Sequence, residues 1–372
     1  MTWQRGTLAD VMDDWLVYRN LEPIDPRVPG LRQAWAEIGF DHYALPRKTT
    51  PEYAAALYHF LTATQAARGV APLQRLLFIG DTLMNDGTAA RNLGRYLPMM
   101  GFIGAERPGE SPRFELNNGL MVANRWGHLA DFLRWVREAG LVWDERTALL
   151  IDLDKTSLGA RGRNDKVIDA ARVEAVESTM REALGDGFDV DAFRAVYDPL
   201  NQPAYHSFTA DNQDYLAYIC LMVLGGVCGA EELWAGLRSQ ALHTIDDLVA
   251  LAESRRSCMS VGLLAAHNEV RQGIADGDPT PFKAFRRDEY FRTVARMDVL
   301  PNGATEREVL AGEIVLTAEV LSVARRMRES GVLVFGLSDK PDEASIPLPE
   351  DARHGYRAIH RTPMKIVGQE LF

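Results

Sequence analysis

Cysteine is scarce in this 372-residue chain: Cys220, Cys228 and Cys258 are all there is. Three thiols without metal-site spacing exclude an even disulfide framework and a structural zinc cluster. Their apolar surroundings predict packed, reduced thiols. Long hydrophobic runs are also missing. LAYICLMVLGGVCG falls short of the roughly 20 residues that a spanning helix needs, and glycine breaks it. Positive charge is in deficit, with 41 Lys and Arg against 52 Asp and Glu, a net charge of −11 that disfavours nucleic acid and anionic membrane as partners. The opening MTWQRGTLADVMDDW carries acids where a secretory leader carries basic and then apolar residues. There is no internal repeat and no low-complexity tract. These absences predict a cytoplasmic globular protein, and nothing in the sequence speaks to its oligomeric state.

What is present is an alternation. PEYAAALYHFLTATQAARG has helical spacing through Tyr53, Leu57, Phe60 and Leu61, with a stop at Gly69. LQRLLFIGD follows as a short apolar strand, TAARNLGRYL as a helix, MMGFIGAE as a strand, and GLMVANRW as a further apolar stretch. HLADFLRWVREAG presents one apolar face and ends at Gly140, and ALLID is again a strand. Strand–helix alternation over 51–152 is the pattern of a parallel sheet covered on both faces. From 157 to 330 the patterns are mostly helical, ending in one long predicted helix, EVLAGEIVLTAEVLSVARRMRESG. VLVFGLSDKP then reads as another strand of the first kind, and MKIVGQELF as a last apolar run. The expected organisation is an α/β core formed by 1–156 and 331–372, with 157–330 as a helical insert.

Ligands of open parallel sheets bind beyond the carboxyl ends of the strands. Three predicted strands end there in polar clusters: LLFI in Gly80-Asp81 with Asp86 following, ALLI in Asp152 and Asp154, and VLVFGL in Ser338-Asp339-Lys340. If these strands are neighbours, several carboxylates converge and repel one another unless a cation joins them. Oxygen ligands without His or Cys point to Mg²⁺ rather than Zn²⁺.

Asp152-Leu153-Asp154-Lys155-Thr156 after an apolar strand resembles the DxDxT motif of the haloacid dehalogenase superfamily, whose members are mostly phosphatases. Ser338 resembles the second motif of that family, Lys48 its third, and Gly80-Asp81 with Asp86 its acidic fourth. The family order is nucleophile, Ser/Thr, Lys, then GD. Here the order is Lys48, Asp81, Asp152, Ser338, a cyclic shift that the closeness of domain termini permits. The resemblance implies a Rossmannoid parallel-sheet core in permuted order with a large helical cap. It implies Asp152 as nucleophile, Asp154 as acid and base, and Ser338 and Lys48 on phosphate oxygens. Mg²⁺ would be held by Asp152, Asp154 (through its carbonyl), Asp81 and Asp86. The rivals of Lys48 for the phosphate are Lys340 and Lys365.

The loop ARGRND places Arg161 and Arg163 at the entry to the cap, where, with Thr156, they are expected to meet substrate. DNQD and RRDEYFR read as solvated helix faces, and His206 receives no role. The expected function is an Mg²⁺-dependent phosphatase of a small phosphorylated metabolite. Transfer of the same aspartyl-phosphate to an acceptor other than water, or a non-catalytic binding protein on the same fold, are the alternatives.

Overall fold

Thr147–Asp152 is buried at every position, which is why it reads as an unbroken apolar run rather than an alternation: it lies inside a sheet covered on both faces. The computed structural model describes residues 2–372. Its strands are β1 (Arg5–Gly6), β2 (Leu16–Val17), β3 (Arg75–Gly80), β4 (Met99–Gly104), β5 (Phe114–Asn117), β6 (Leu120–Ala123), β7 (Thr147–Asp152), β8 (Leu316–Thr317), β9 (Leu333–Leu337) and β10 (Met364–Val367). Seven of them form one sheet in the order β2-β9-β7-β3-β4-β6-β5, parallel except for the β5–β6 hairpin. The other three form a small sheet, β1-β10-β8. The fold is thus α/β, built on a mostly parallel, Rossmann-like sheet.

On one face of the large sheet Leu76, Phe78, Leu150 and Phe335 pack against Leu57, Phe60 and Leu61 of the helix Pro51–Ala67. That helix starts where the sequence says it should: Pro51 follows Thr50, whose hydroxyl accepts from the amide of Tyr53. Phe78 is fully buried, and truncating such a residue costs about 3–5 kcal/mol. On the other side Phe102 of β4 meets Phe132 of the helix Leu129–Glu138, ring centroids 5.9 Å apart. The predicted stops at Gly69 and Gly140 both fall in left-handed backbone, φ +69° and +76°.

The chain divides into two compact units, Met1–Ala170 with Thr293–Phe372, and Ala171–Arg292. The second unit is helical, but it is shorter than the 157–330 insert; 157–170 and 293–330 belong with the sheet unit. Its central helix, Gln213–Leu224, is buried from Leu216 to Met222 and packs with Phe193, Tyr197 and Phe285. DNQD and RRDEYFR are not solvated faces. Asp214, Arg286 and Glu289 are buried together, Arg286 Nε donating to Asp214 Oδ2 at 2.8 Å and Nη1 to Glu289 Oε2 at 2.6 Å. Opposite charges that neutralise one another inside a core leave the same sequence pattern as charges facing water.

Two other expectations are corrected. The long helix over 308–331 is two helices, Glu306–Gly312 and Ala318–Glu329, separated by β8. Glu313 breaks it: its backbone is extended, and its buried carboxylate accepts from Lys365 Nζ at 2.9 and 2.8 Å. The last apolar run supplies β10 of the small sheet. Cys258 is exposed, whereas Cys220 and Cys228 are buried as expected. Among the described residues no helix is long and apolar enough to cross a membrane.

Candidate active site

The strands carrying the three polar clusters stand side by side. β7 pairs in parallel with β3 on one side and with β9 on the other, Asp152 opposite Leu337 and Ile151 opposite Ile79. Asp81, Asp152 and Ser338 therefore leave one edge of the sheet together. β2, from the first 20 residues, lies parallel to β9 on its outer side, so a segment from the opposite end of the chain completes this edge.

The turn after β3 is closed by Asp86. Its Oδ2 accepts from the amides of Asp81 and Thr82 at 3.0 and 2.8 Å and from the Thr82 hydroxyl at 3.0 Å. Glycine is required at position 80, because a Cβ there would lie 2.5 Å from Asp86 Cβ. The turn after β7 uses Lys155 in left-handed backbone, φ +62°, uncommon for a side-chain-bearing residue, and the Lys155 side chain pairs with Asp169 at 2.8 Å.

Lys48 joins the two turns. Its Nζ donates to Asp152 Oδ1 at 2.5 Å and lies 2.6 Å from Asp86 Oδ1, a charge contact that leaves this oxygen without an aligned hydrogen bond. Arg161 Nε donates to Asp81 Oδ2. One oxygen each from Asp81, Asp86 and Asp152 fall within 4.8 Å of one another. Three nearly buried carboxylates thus face two cations, Lys48 and Arg161. Burial and the charge of Asp86 push the Asp81 carboxyl up to about 7. Burial, with Asp86 and Asp81 adding to it, pushes Asp152 well above the usual carboxylate range against the pull of Lys48. Burial works to raise Asp86 as well, but Lys48 and the hydrogen bonds hold it at about 2. Lys48 stays firmly protonated, since Asp152 and Asp86 outweigh its burial.

Such a cluster fits a hard cation. The donors are all carboxylate oxygens, Asp86 Oδ1 lacks an aligned partner, and with all three carboxylates ionised the negative charge would exceed the positive by one. The carboxylate of Asp154 is not part of this triad; its Oδ2 accepts from the Ser338 hydroxyl at 2.6 Å, and Ser338 Oγ in turn accepts from the amide of Lys340 at 2.9 Å. The structure therefore brings together Lys48, Asp81, Asp86, Asp152 and Arg161, with the Asp154–Ser338 pair on the adjoining strand ends.

The chain was compared with family models, curated proteins and solved structures, and no match was found.

Other expected site residues lie elsewhere or are committed to the protein. Arg163 is held by Glu319 and Glu106, each at 2.9 Å, so its guanidinium serves an internal ion pair rather than a substrate clamp. Thr156 is fully buried and its hydroxyl has no partner among the described residues. Lys365 belongs to the small sheet, bound to Glu313, Asp298 and the Leu300 carbonyl. Lys340 is buried beside Ser338. His206 sits in the helical unit, 3.4 Å from Asp211. Two groups near the site had no sequence signal of function: Tyr53, which reads as one apolar position of a helix, and Arg19, which pairs with Asp339 at 3.5 Å.

Proposed function

We propose that this protein is a phosphomonoester hydrolase of the haloacid dehalogenase type, with its core motifs in cyclically shifted order. The observation that carries the reading is the nucleophile position. Asp152 ends a central parallel strand, in contact with a buried lysine, beside a second acidic turn, and two residues before another acid.

Asp152, Asp81 and Asp86 are the residues that would hold the metal, taken here as Mg²⁺. Bound there, the cation offsets repulsion between an anionic carboxylate and an approaching phosphate, and it keeps Asp152 ionised despite burial. An Asp152 oxygen attacks phosphorus while the bond to the leaving oxygen breaks, and Asp154 donates its proton to that oxygen. In the second half, the Asp154 carboxylate takes a proton from water as the water oxygen attacks phosphorus. The bond to Asp152 breaks, and phosphate and free carboxylate return. Ser338 orients Asp154 through its 2.6 Å hydrogen bond, and Lys48 neutralises charge where Asp152 meets the phosphoryl group. The substrate class is a small phosphorylated metabolite. Purified protein is expected to release phosphate from p-nitrophenyl phosphate with Mg²⁺ and to lose that activity with EDTA. Absence of turnover there and across a broad panel of phosphorylated metabolites contradicts the reading.

A further inference from the structure

Most hydrogen-bond donors around the Asp152 carboxylate are already in use. Lys48 is shared between two carboxylates, Arg161 is on Asp81, and the Ser338 hydroxyl is on Asp154. A tetrahedral phosphoryl group brings several acceptor oxygens and needs donors that are not committed.

Tyr53 supplies one. It lies five residues after Lys48, in the first turn of the helix Pro51–Ala67, its amide held by Thr50 Oγ1 at 3.3 Å. The residue is 2% exposed, and its ring is part of the apolar core beneath the sheet. Its hydroxyl is shut off from solvent and has no hydrogen-bond partner among the described residues. Buried phenols in native proteins nearly always find a partner, because an unsatisfied hydroxyl carries its full desolvation cost. The charges that act on it electrostatically are those of Asp339, Lys48, Asp152 and Arg19; Lys48 and Asp152 are in contact with each other in the site, and Asp339 directly follows Ser338. Burial first, and the two acids after it, push the phenol upward, so it is a neutral donor at any working pH.

We propose that the Tyr53 hydroxyl donates a hydrogen bond to a phosphoryl oxygen of the phosphomonoester bound at Asp152. This assignment rests on the phosphatase reading. It makes the helix that follows Lys48 a phosphate-binding element in its own right, with Lys48 and Tyr53 acting from a single segment of chain.

The test is inorganic phosphate binding by calorimetry in Mg²⁺, for wild type and Tyr53→Phe, with Tm measured without phosphate. The expected result is a phosphate Kd about tenfold weaker in Tyr53→Phe, the worth of one hydrogen bond to a charged acceptor. Its Tm should be unchanged or higher, since an unpaired buried hydroxyl has been removed. KM for p-nitrophenyl phosphate should rise by a similar factor. Equal phosphate affinity in the two proteins removes Tyr53 from the site and leaves the phosphatase reading standing. A lower Tm in the variant also overturns the proposal, because the hydroxyl then serves the fold. Wild type that binds no phosphate overturns the phosphatase reading and this assignment with it.

Discussion

Lys48 Nζ lies 2.5 Å from Asp152 Oδ1 across 104 positions of sequence, and it also touches Asp86. One ammonium group thereby ties the loop before a helix to the ends of two neighbouring strands. Lys48→Ala leaves two buried carboxylates without their nearest cation, a change that costs about 3–5 kcal/mol in comparable buried pairs. In the proposed enzyme it should also lower kcat/KM by about 10²-fold or more. Urea unfolding and phosphate release check the two effects. Lys365→Met, in the small sheet, should change stability without a comparable loss of catalysis in the folded fraction.

If Asp81, Asp86 and Asp152 hold the cation, Mg²⁺ should stabilise the folded protein by mass action. The gain is about 2.7 kcal/mol when the free ion is at 100 times its Kd. Thermal unfolding with and without Mg²⁺ measures it, and EDTA should reverse it. In Asp81→Asn the rise in Tm should shrink sharply, whether or not a substrate is known.

His360 gives a separate dependence on pH. Its Nδ1 is 3.1 Å from the Tyr18 hydroxyl and its Nε2 2.9 Å from Asp14. Burial holds its pKa below the ordinary 6.5, although Asp14 pulls the other way. The unfolded chain therefore binds the proton more readily. The contribution of His360 is fully present above about 6.5 and is lost as pH falls through the lowered folded value. Urea unfolding at pH 7.5 and 5.5 should show a larger acid loss in wild type than in His360→Gln.

The helical unit carries its own buried charge cluster. Arg286 is 6% exposed and lies between Asp214 and Glu289. Arg286→Ala should destabilise by about 3–5 kcal/mol, because Asp214 is left inside without its guanidinium, while Glu289 keeps Arg172 at 3.1 Å. Chemical unfolding measures this. A change below 1 kcal/mol contradicts the burial of the cluster.

Much of the sheet is legible in the sequence because parallel strands covered on both faces write continuous apolar runs, as LLFIG, ALLID and VLVFGL do. Their acidic ends are legible because carboxylates seldom follow such runs without reason. Two-residue strands are not: Leu16–Val17 and Leu316–Thr317 are too short to carry a period. The hairpin between β5 and β6 had a usable signal in Asn118-Gly119, both in left-handed backbone, which is the preferred pair for a two-residue turn. Arg163 and Arg161 are two residues apart in one loop, yet one meets two glutamates and the other the acidic cluster. Composition cannot separate them, since the partners Glu106 and Glu319 come from distant parts of the chain. Tyr53 escaped for a related reason: an aromatic at a helical core position looks the same whether or not its hydroxyl is paired.

The central claim is that Asp152 is the attacking group. Phosphate release by wild type and Asp152→Asn, at equal folded concentration in Mg²⁺, tests it most directly. The account predicts an active wild type and a variant slower by at least about a thousandfold. An Asp152→Asn protein as active as wild type contradicts it.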